Sequence, residues 1–109
     1  MRDVYVLGIG QTKFGVFNEY MGFDLGVMAS VAAVKDAGIS AKEIQVAYAG
    51  YTKGPSTQGQ MAFIRLGIGD IPIANLNNAC ASGNTAVHML YKDIAAGFCE
   101  VGMATGFES

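Results

Sequence analysis

One stretch of this sequence combines a nucleophile with a position that could activate it: Asn75-Leu76-Asn77-Asn78-Ala79-Cys80-Ala81-Ser82-Gly83-Asn84. It spans the passage from a predicted strand, Ile71 to Leu76, into a predicted helix that begins at Ser82. A cysteine at a helix start sees the positive end of the macrodipole and backbone N–H groups without intrahelical partners, and both favour thiolate over thiol. Its neighbours Ala79, Ala81, Ser82 and Gly83 are small, so an acyl group or another backbone has room to approach the sulfur. Open α/β sheets carry their functional groups at this kind of position, beyond the carboxyl ends of the strands. The same pattern also fits a cysteine used as a small buried residue at a tight crossing, and residue types alone leave both readings open.

Other chemical motifs fail on inspection. Gly8-Ile9-Gly10 follows a strand-like run, yet the third glycine of a dinucleotide fingerprint would fall on Lys13. Gly10 to Gly15 has the opening spacing of a phosphate-binding loop, but Val16 and Phe17 stand where Lys and Ser or Thr must hold phosphate and magnesium. Ser82 lacks the flanking glycines of a nucleophile elbow. His88 is the single histidine, and Cys80 and Cys99 lie 19 positions apart without a C-x-x-C pair, so no metal-ligand spacing exists. His88 falls inside the last predicted helix and reads as a surface or internally satisfied residue. Carboxylates are dispersed, with no pair arranged for glycosidase-type acid and base work. Cys99, after Phe98 at the start of the last predicted strand, reads as a small structural residue.

The whole chain must be able to position Cys80, and its composition permits this. Its 109 residues are 51% hydrophobic and 15% charged, which excludes a disordered chain and fits one domain. The formal charge of −2 is scattered without a run of either sign, which argues against a nucleic-acid or membrane-surface partner. No apolar run reaches the ~18 residues needed to span a bilayer. Met1 to Ile9 lacks a small-residue cleavage pattern, so no signal peptide is expected, and two cysteines point to the reducing cytoplasm.

The predicted elements alternate. Val4 to Ile9 is β-branched and aromatic and reads as a buried strand. Asp24 is placed to cap a helix over Leu25 to Ala37, with one stripe of Leu25, Met28, Ala29 and Ala32 and a second of Val27, Val31 and Val34, closed by Gly38. Ser40 to Glu43 forms a capping box for one further turn. Ile44 to Gly50 reads as a second strand and Gly54 to Thr57 as a loop. Gln58 to Leu66 reads as a helix stopped by Gly67. Ile71 to Leu76, with Pro72 near its start, is a third strand; Ser82 to Ala96, ended by Gly97, a third helix; and Glu100 to Phe107 a fourth strand. Strands alternating with helices imply an α/β fold with a mostly parallel sheet covered by helices on both faces.

Asn77-Asn78-Ala79-Cys80-Ala81-Ser82-Gly83 resembles the nucleophile motif of the thiolase superfamily, and most closely its sterol-carrier-protein-type, lipid-transfer-protein-like branch. Val6 to Gly15 resembles that branch's opening strand, and Glu100 to Ser109 resembles the strand and glycine-rich turn that follow the nucleophile helix. Three motifs in order span the chain. The resemblance implies a fold of two similar halves, of which residues 1–109 are the front part of the first, with the C-terminal half absent. It implies that Cys80 is the catalytic nucleophile, attacking an acyl-CoA thioester to form an acyl-enzyme whose acyl group joins, or is cleaved from, a second acyl-CoA. On this implication the backbone N–H of Cys80 is one oxyanion donor, and Asn77 and Asn78 support the loop near a dimer interface. The general bases and the second donor come from elsewhere. Coenzyme A enters as the thioester substrate; no cofactor or metal is expected, and no residue is assigned to hold CoA. The implied partners are an acyl-CoA, a second subunit, and the missing half or a chain that supplies it; 109 residues alone are expected to lack turnover.

Three other readings share the fold. A ketoacyl-synthase-type condensing enzyme commonly has Asp a few residues before the cysteine, where this chain has Asn77. A non-catalytic lipid-transfer or scaffold subunit would carry an unreactive Cys80. A retro-aldolase acting on steroid side-chain CoA esters often lacks the cysteine that is kept here.

Overall fold

The computed structural model describes residues 1–108. Three strands, β1 (Val46–Gly50), β2 (Ile73–Leu76) and β3 (Gly102–Gly106), form a parallel sheet in the order β2-β1-β3. Ala47 pairs with Ile73 on one side and Met103 on the other, and Gly50 with Leu76 and Gly106. All three strands therefore end level, at the edge where the chain turns towards Cys80. The connections are made by α1 (Gly22–Ala37), α2 (Gln58–Ile64) and α3 (Ser82–Ala95), with one 3₁₀ turn at Ala41–Glu43. The α/β class and the parallel sheet expected from the alternation are the ones observed.

Successive residues of β1 face opposite sides of the sheet, and each side has its own helix. Ala47 and Ala49 are fully buried and join Ile44, Tyr51, Phe63, Ile68, Met103 and Phe107 in one core beneath α1 and α2. Tyr51 and Phe107 stack there with ring centroids 5.0 Å apart. On the other face the Tyr48 hydroxyl donates to Asp93 of α3. Helices thus cover both faces, as the pattern required.

Three departures from expectation have physical causes. Val4 to Ile9 is not a strand: it runs extended over α1, with Gly8 pressed so close that a Cβ would stand 2.5 Å from Ala33 O. It has no ladder partner: a cleft of about 520 Å³ is lined by this segment on one side and by β3 on another, and Tyr5, Val6 and Ile9 are exposed. The Gly8-Ile9-Gly10 turn rejected as a nucleotide site is part of this packing. In α1 the buried stripe is Gly22, Gly26 and Ser30, neither of the predicted apolar stripes. Small residues let the helix settle onto β3 and the Phe107 ring, and the Ser30 hydroxyl meets Thr105 Oγ1 at 2.7 Å. Met28 and Val31 remain more than one-third exposed. Asp24 is not the N-cap, since α1 starts earlier, after Met21; its carboxylate reaches back to accept the Met21 N–H at 2.9 Å and also pairs with Arg65.

Elsewhere the expectations hold within a residue or two. Gly38 closes α1 in the left-handed conformation, φ 71°, and the Ser40–Glu43 capping box forms both of its bonds. Ile44 and Val101, included in the predicted strands, pack beside the ladder without extending it. Ser109, the last residue of the predicted glycine-rich turn, lies outside the described residues.

Candidate functional site

Cys80 sits beyond the carboxyl end of β2, two residues before α3, and is exposed. The backbone reaches this position through side-chain bonds and backbone turn bonds rather than through a helix or a named strand. Asn77 Oδ1 accepts the Ala79 N–H at 3.0 Å, Ala81 N–H donates to Asn78 O at 3.0 Å, and Ser82 N–H donates to Ala79 O at 3.2 Å. Asn78 Nδ2 donates to Thr85 Oγ1 at 2.9 Å, tying the turn to the second turn of α3. Ala79, at φ 50°, occupies the left-handed region that alanine rarely adopts. The expected supporting roles of Asn77 and Asn78 within the loop are the geometry observed; the dimer interface has no counterpart in a single chain.

Close backbone contact brings the start of α3 down onto the sheet. A Cβ at Gly50, the last residue of β1, would overlap the Ser82 carbonyl, and a Cβ at Gly106, the last of β3, would stand 3.0 Å from Gly83 Cα. Only glycine permits this approach. The helix N-terminus, with its unpaired N–H groups and partial positive charge, is thereby fixed at the end of the sheet beside Cys80.

The other titratable candidates lie apart. His88 is exposed along α3 and makes no hydrogen bond among the described residues. Cys99 is at the far end of α3, about 20 Å away by the rise of a 14-residue helix. There, burial first and then the Asp93 carboxylate push its thiol above the ordinary range. Among the described residues no cluster of three or more His, Cys, Asp or Glu side chains is placed to hold a metal ion, and no helix is long and apolar enough to cross a membrane.

Two side chains in and beside the site escaped the sequence reading. Asn75, in β2, accepts the Gly59 N–H at 2.6 Å and the Tyr51 hydroxyl at 3.0 Å through Oδ1, and donates to Gln60 Oε1 at 2.7 Å. It fixes the first turn of α2 to the sheet; a polar residue inside an otherwise apolar strand was the available signal. Ser82 is 4% exposed and bonds both to the Asn78 N–H and to Ala79 O. Its signal was fainter, because a serine at a helix start is ordinarily read as a cap.

Comparison with known proteins agrees with this geometry. The family description "Thiolase, N-terminal domain" matches residues 4–109. Sterol carrier protein 2 of Homo sapiens is 42% identical over 112 residues, covering 99% of this chain and 20% of that protein. An acetyl-CoA acetyltransferase of Methanocaldococcus jannaschii is 37% identical over 113 residues, covering 99% of this chain and 29% of the relative. The thiolase Acat5 of Ascaris suum, solved in complex with coenzyme A, superposes with a TM-score of 0.91 over 99% of this chain and 30% of its own, at 23% identity, a likeness of fold. The chain thus spans between a fifth and a third of the length of these proteins. A parallel α/β unit with a cysteine at the sheet-to-helix turn is the class that fold and site define. Within that class, the chain belongs to the thiolase family, through the match of its N-terminal-domain description to residues 4–109.

Proposed function

We propose that this chain carries the nucleophile of a thiolase-type acyltransferase, with Cys80 as the residue that becomes acylated. The observation that carries the reading is the N–H inventory of the turn. From Asn78 to Ser82 every backbone N–H has an acceptor except that of Cys80, which has none among the described residues. An exposed sulfur and an unclaimed N–H on one residue are what nucleophilic attack on a thioester and stabilisation of the resulting oxyanion require. The Cys80 thiolate adds to the carbonyl carbon of an acyl-CoA, the oxygen takes up negative charge beside the Cys80 N–H, and collapse expels CoA as its thiolate and leaves a thioester on Sγ. A second acyl-CoA, deprotonated at its α carbon, then attacks the carbonyl carbon of that thioester, forming the carbon–carbon bond of a 3-oxoacyl-CoA as the C–S bond breaks and Cys80 leaves as its thiolate, or the steps run in reverse. The general bases and the second oxyanion donor belong, on this reading, to the greater length that thiolase relatives have.

Mixing the protein, at the length its gene encodes, with acetyl-CoA and mapping the adduct by mass spectrometry tests this. An acetyl group on Cys80, absent in Cys80→Ala, is expected; transfer that persists in the variant would overturn it. A second reading, a lipid-transfer subunit without covalent chemistry, is favoured by the sterol carrier protein relative. It predicts lipid binding unaffected by Cys80→Ala and no adduct.

A further inference from the structure

Helix α3 begins without a side-chain cap: its N-cap position is Ala81, and no side chain bonds to its first N–H groups from there. A serine is present one residue later, but its hydroxyl points back. Ser82 Oγ accepts the Asn78 N–H at 2.8 Å and donates to Ala79 O at 2.7 Å, so both of its bonds fall on the turn preceding Cys80. Between those two partners lies Ala79 at φ 50°, a conformation that costs an alanine about 1–2 kcal/mol. Some element of the structure must hold it there. Ser82 is suited to do so because its own backbone is immobilised, its carbonyl packed against Gly50 at the end of β1.

We propose that Ser82 is a positioning residue for the acyl-transfer reaction: its hydroxyl holds Ala79 in the left-handed turn and so aims the unclaimed Cys80 N–H at the oxyanion. This rests on the reading of Cys80 as the nucleophile. Capping α3 would have been the ordinary use of a serine here. Turned the other way, the hydroxyl consumes the Asn78 N–H and leaves that of Cys80 free, while α3 starts without a side-chain cap.

Two reactions at the same sulfur separate positioning from folding. Acylation by acetyl-CoA passes through an oxyanion, whereas alkylation by iodoacetamide does not. In the protein at its encoded length, Ser82→Ala is expected to slow acylation about 100-fold, the usual consequence of a misplaced reacting group, and to change alkylation of Cys80 by less than about threefold. Adding Ala79→Gly, which makes the left-handed turn accessible without the hydroxyl, is expected to recover about tenfold of the loss. Ser82→Ala acylating at the unsubstituted rate overturns the proposal, as does a parallel loss in both reactions, which marks a purely structural role. Should Ser82→Ala not fold, the two rates are compared in the double variant: a deficit of about tenfold in acylation alone supports the role, and an equal effect on both removes it. If the unsubstituted protein is alkylated at Cys80 but never acylated, the nucleophile reading falls and the positioning role with it, an outcome distinct from a failure of Ser82 alone.

Discussion

Helix α3 has a cysteine near each end, and the two ends are built in opposite ways. At its start, Cys80 is exposed, its N–H is unclaimed, and the surrounding bonds are made by Asn77, Asn78 and Ser82 to backbone. At its close, Cys99 is half-buried and enclosed by charge. Arg2 donates to Cys99 O at 2.7 Å, to Ile94 O at 3.2 Å and to Glu100 at 2.9 Å, while its own N–H donates to Ala95 O. A guanidinium on the last carbonyls of a helix complements the negative end of the dipole and ties the N-terminal segment in place. One end therefore leaves donors available and the other satisfies its acceptors. Residue type does not distinguish the cysteines; the unpaired backbone around them does.

The strongest way to break this comparison is to remove each cysteine in turn. Cys80→Ala is expected to abolish acyl-enzyme formation from acetyl-CoA. Cys99→Ala, a change away from the site, is expected to leave the rate within about twofold. Intact-mass measurement after mixing decides between them, and equal losses would erase the functional asymmetry between the two ends.

The next test moves the start of α3 without touching its chemistry. Gly50→Ala places a methyl group against the Ser82 carbonyl, and forcing the helix off the sheet is expected to cost about 1–3 kcal/mol. Denaturant melting reads that cost. Gly97→Ala at the other end meets only the Arg2 guanidinium, at an ordinary 4.0 Å, but sits at φ 86°, so its cost is expected to be conformational strain, with acylation at Cys80 unchanged.

A third test compares the thiols directly. Cys99 is raised by burial and by Asp93, so less of it is thiolate at neutral pH, whereas Cys80 is exposed at a helix start. Iodoacetamide in the folded protein is expected to label Cys80 at least ~10-fold faster. Peptide mapping at short times provides the ratio; a ratio near one would mean that the enclosure of Cys99 does not control its reactivity.

These contrasts also show which parts of the molecule the sequence made legible. The helices and the buried strands were readable because each carries its own period and its own stop signals, as with Gly38 after α1 and the apolar run ending at Gly50. Cys80 was readable as a candidate because small residues flank it where a strand meets a helix. Val4 to Ile9 misled because β-branched composition predicts extended backbone but not a partner, and a ladder needs both. The stripe of Gly22, Gly26 and Ser30 was hidden because burial of small residues reflects how closely a helix approaches its neighbour, a tertiary property that hydrophobic patterning does not report. Ser82 was hidden for a similar reason: its direction, back onto the turn rather than forward onto the helix, depends on the Gly50 contact made across the sheet.

The smallest expected effect sharpens the comparison at the closed end of α3. Tyr48, on the face of β1 that meets α3, donates its hydroxyl to Asp93, and this bond, then burial, then the charge of Asp93 push its pKa from 10.0 to about 12. The folded state therefore holds the phenolic proton more tightly than the unfolded chain does. Stability from this pair is fully present below pH 10, where both states are protonated, and is lost as pH rises from about 10 to about 12, where the unfolded chain releases the proton first. Chemical denaturation at a series of alkaline pH values is expected to show that decline, and Tyr48→Phe, which has no proton to release, is expected to flatten it. Neither change should alter alkylation of Cys80 at neutral pH, since the pair stands at the other end of the helix. A decline of the same slope in Tyr48→Phe would assign the alkaline sensitivity to another group and remove the Tyr48–Asp93 bond as the element that closes this end.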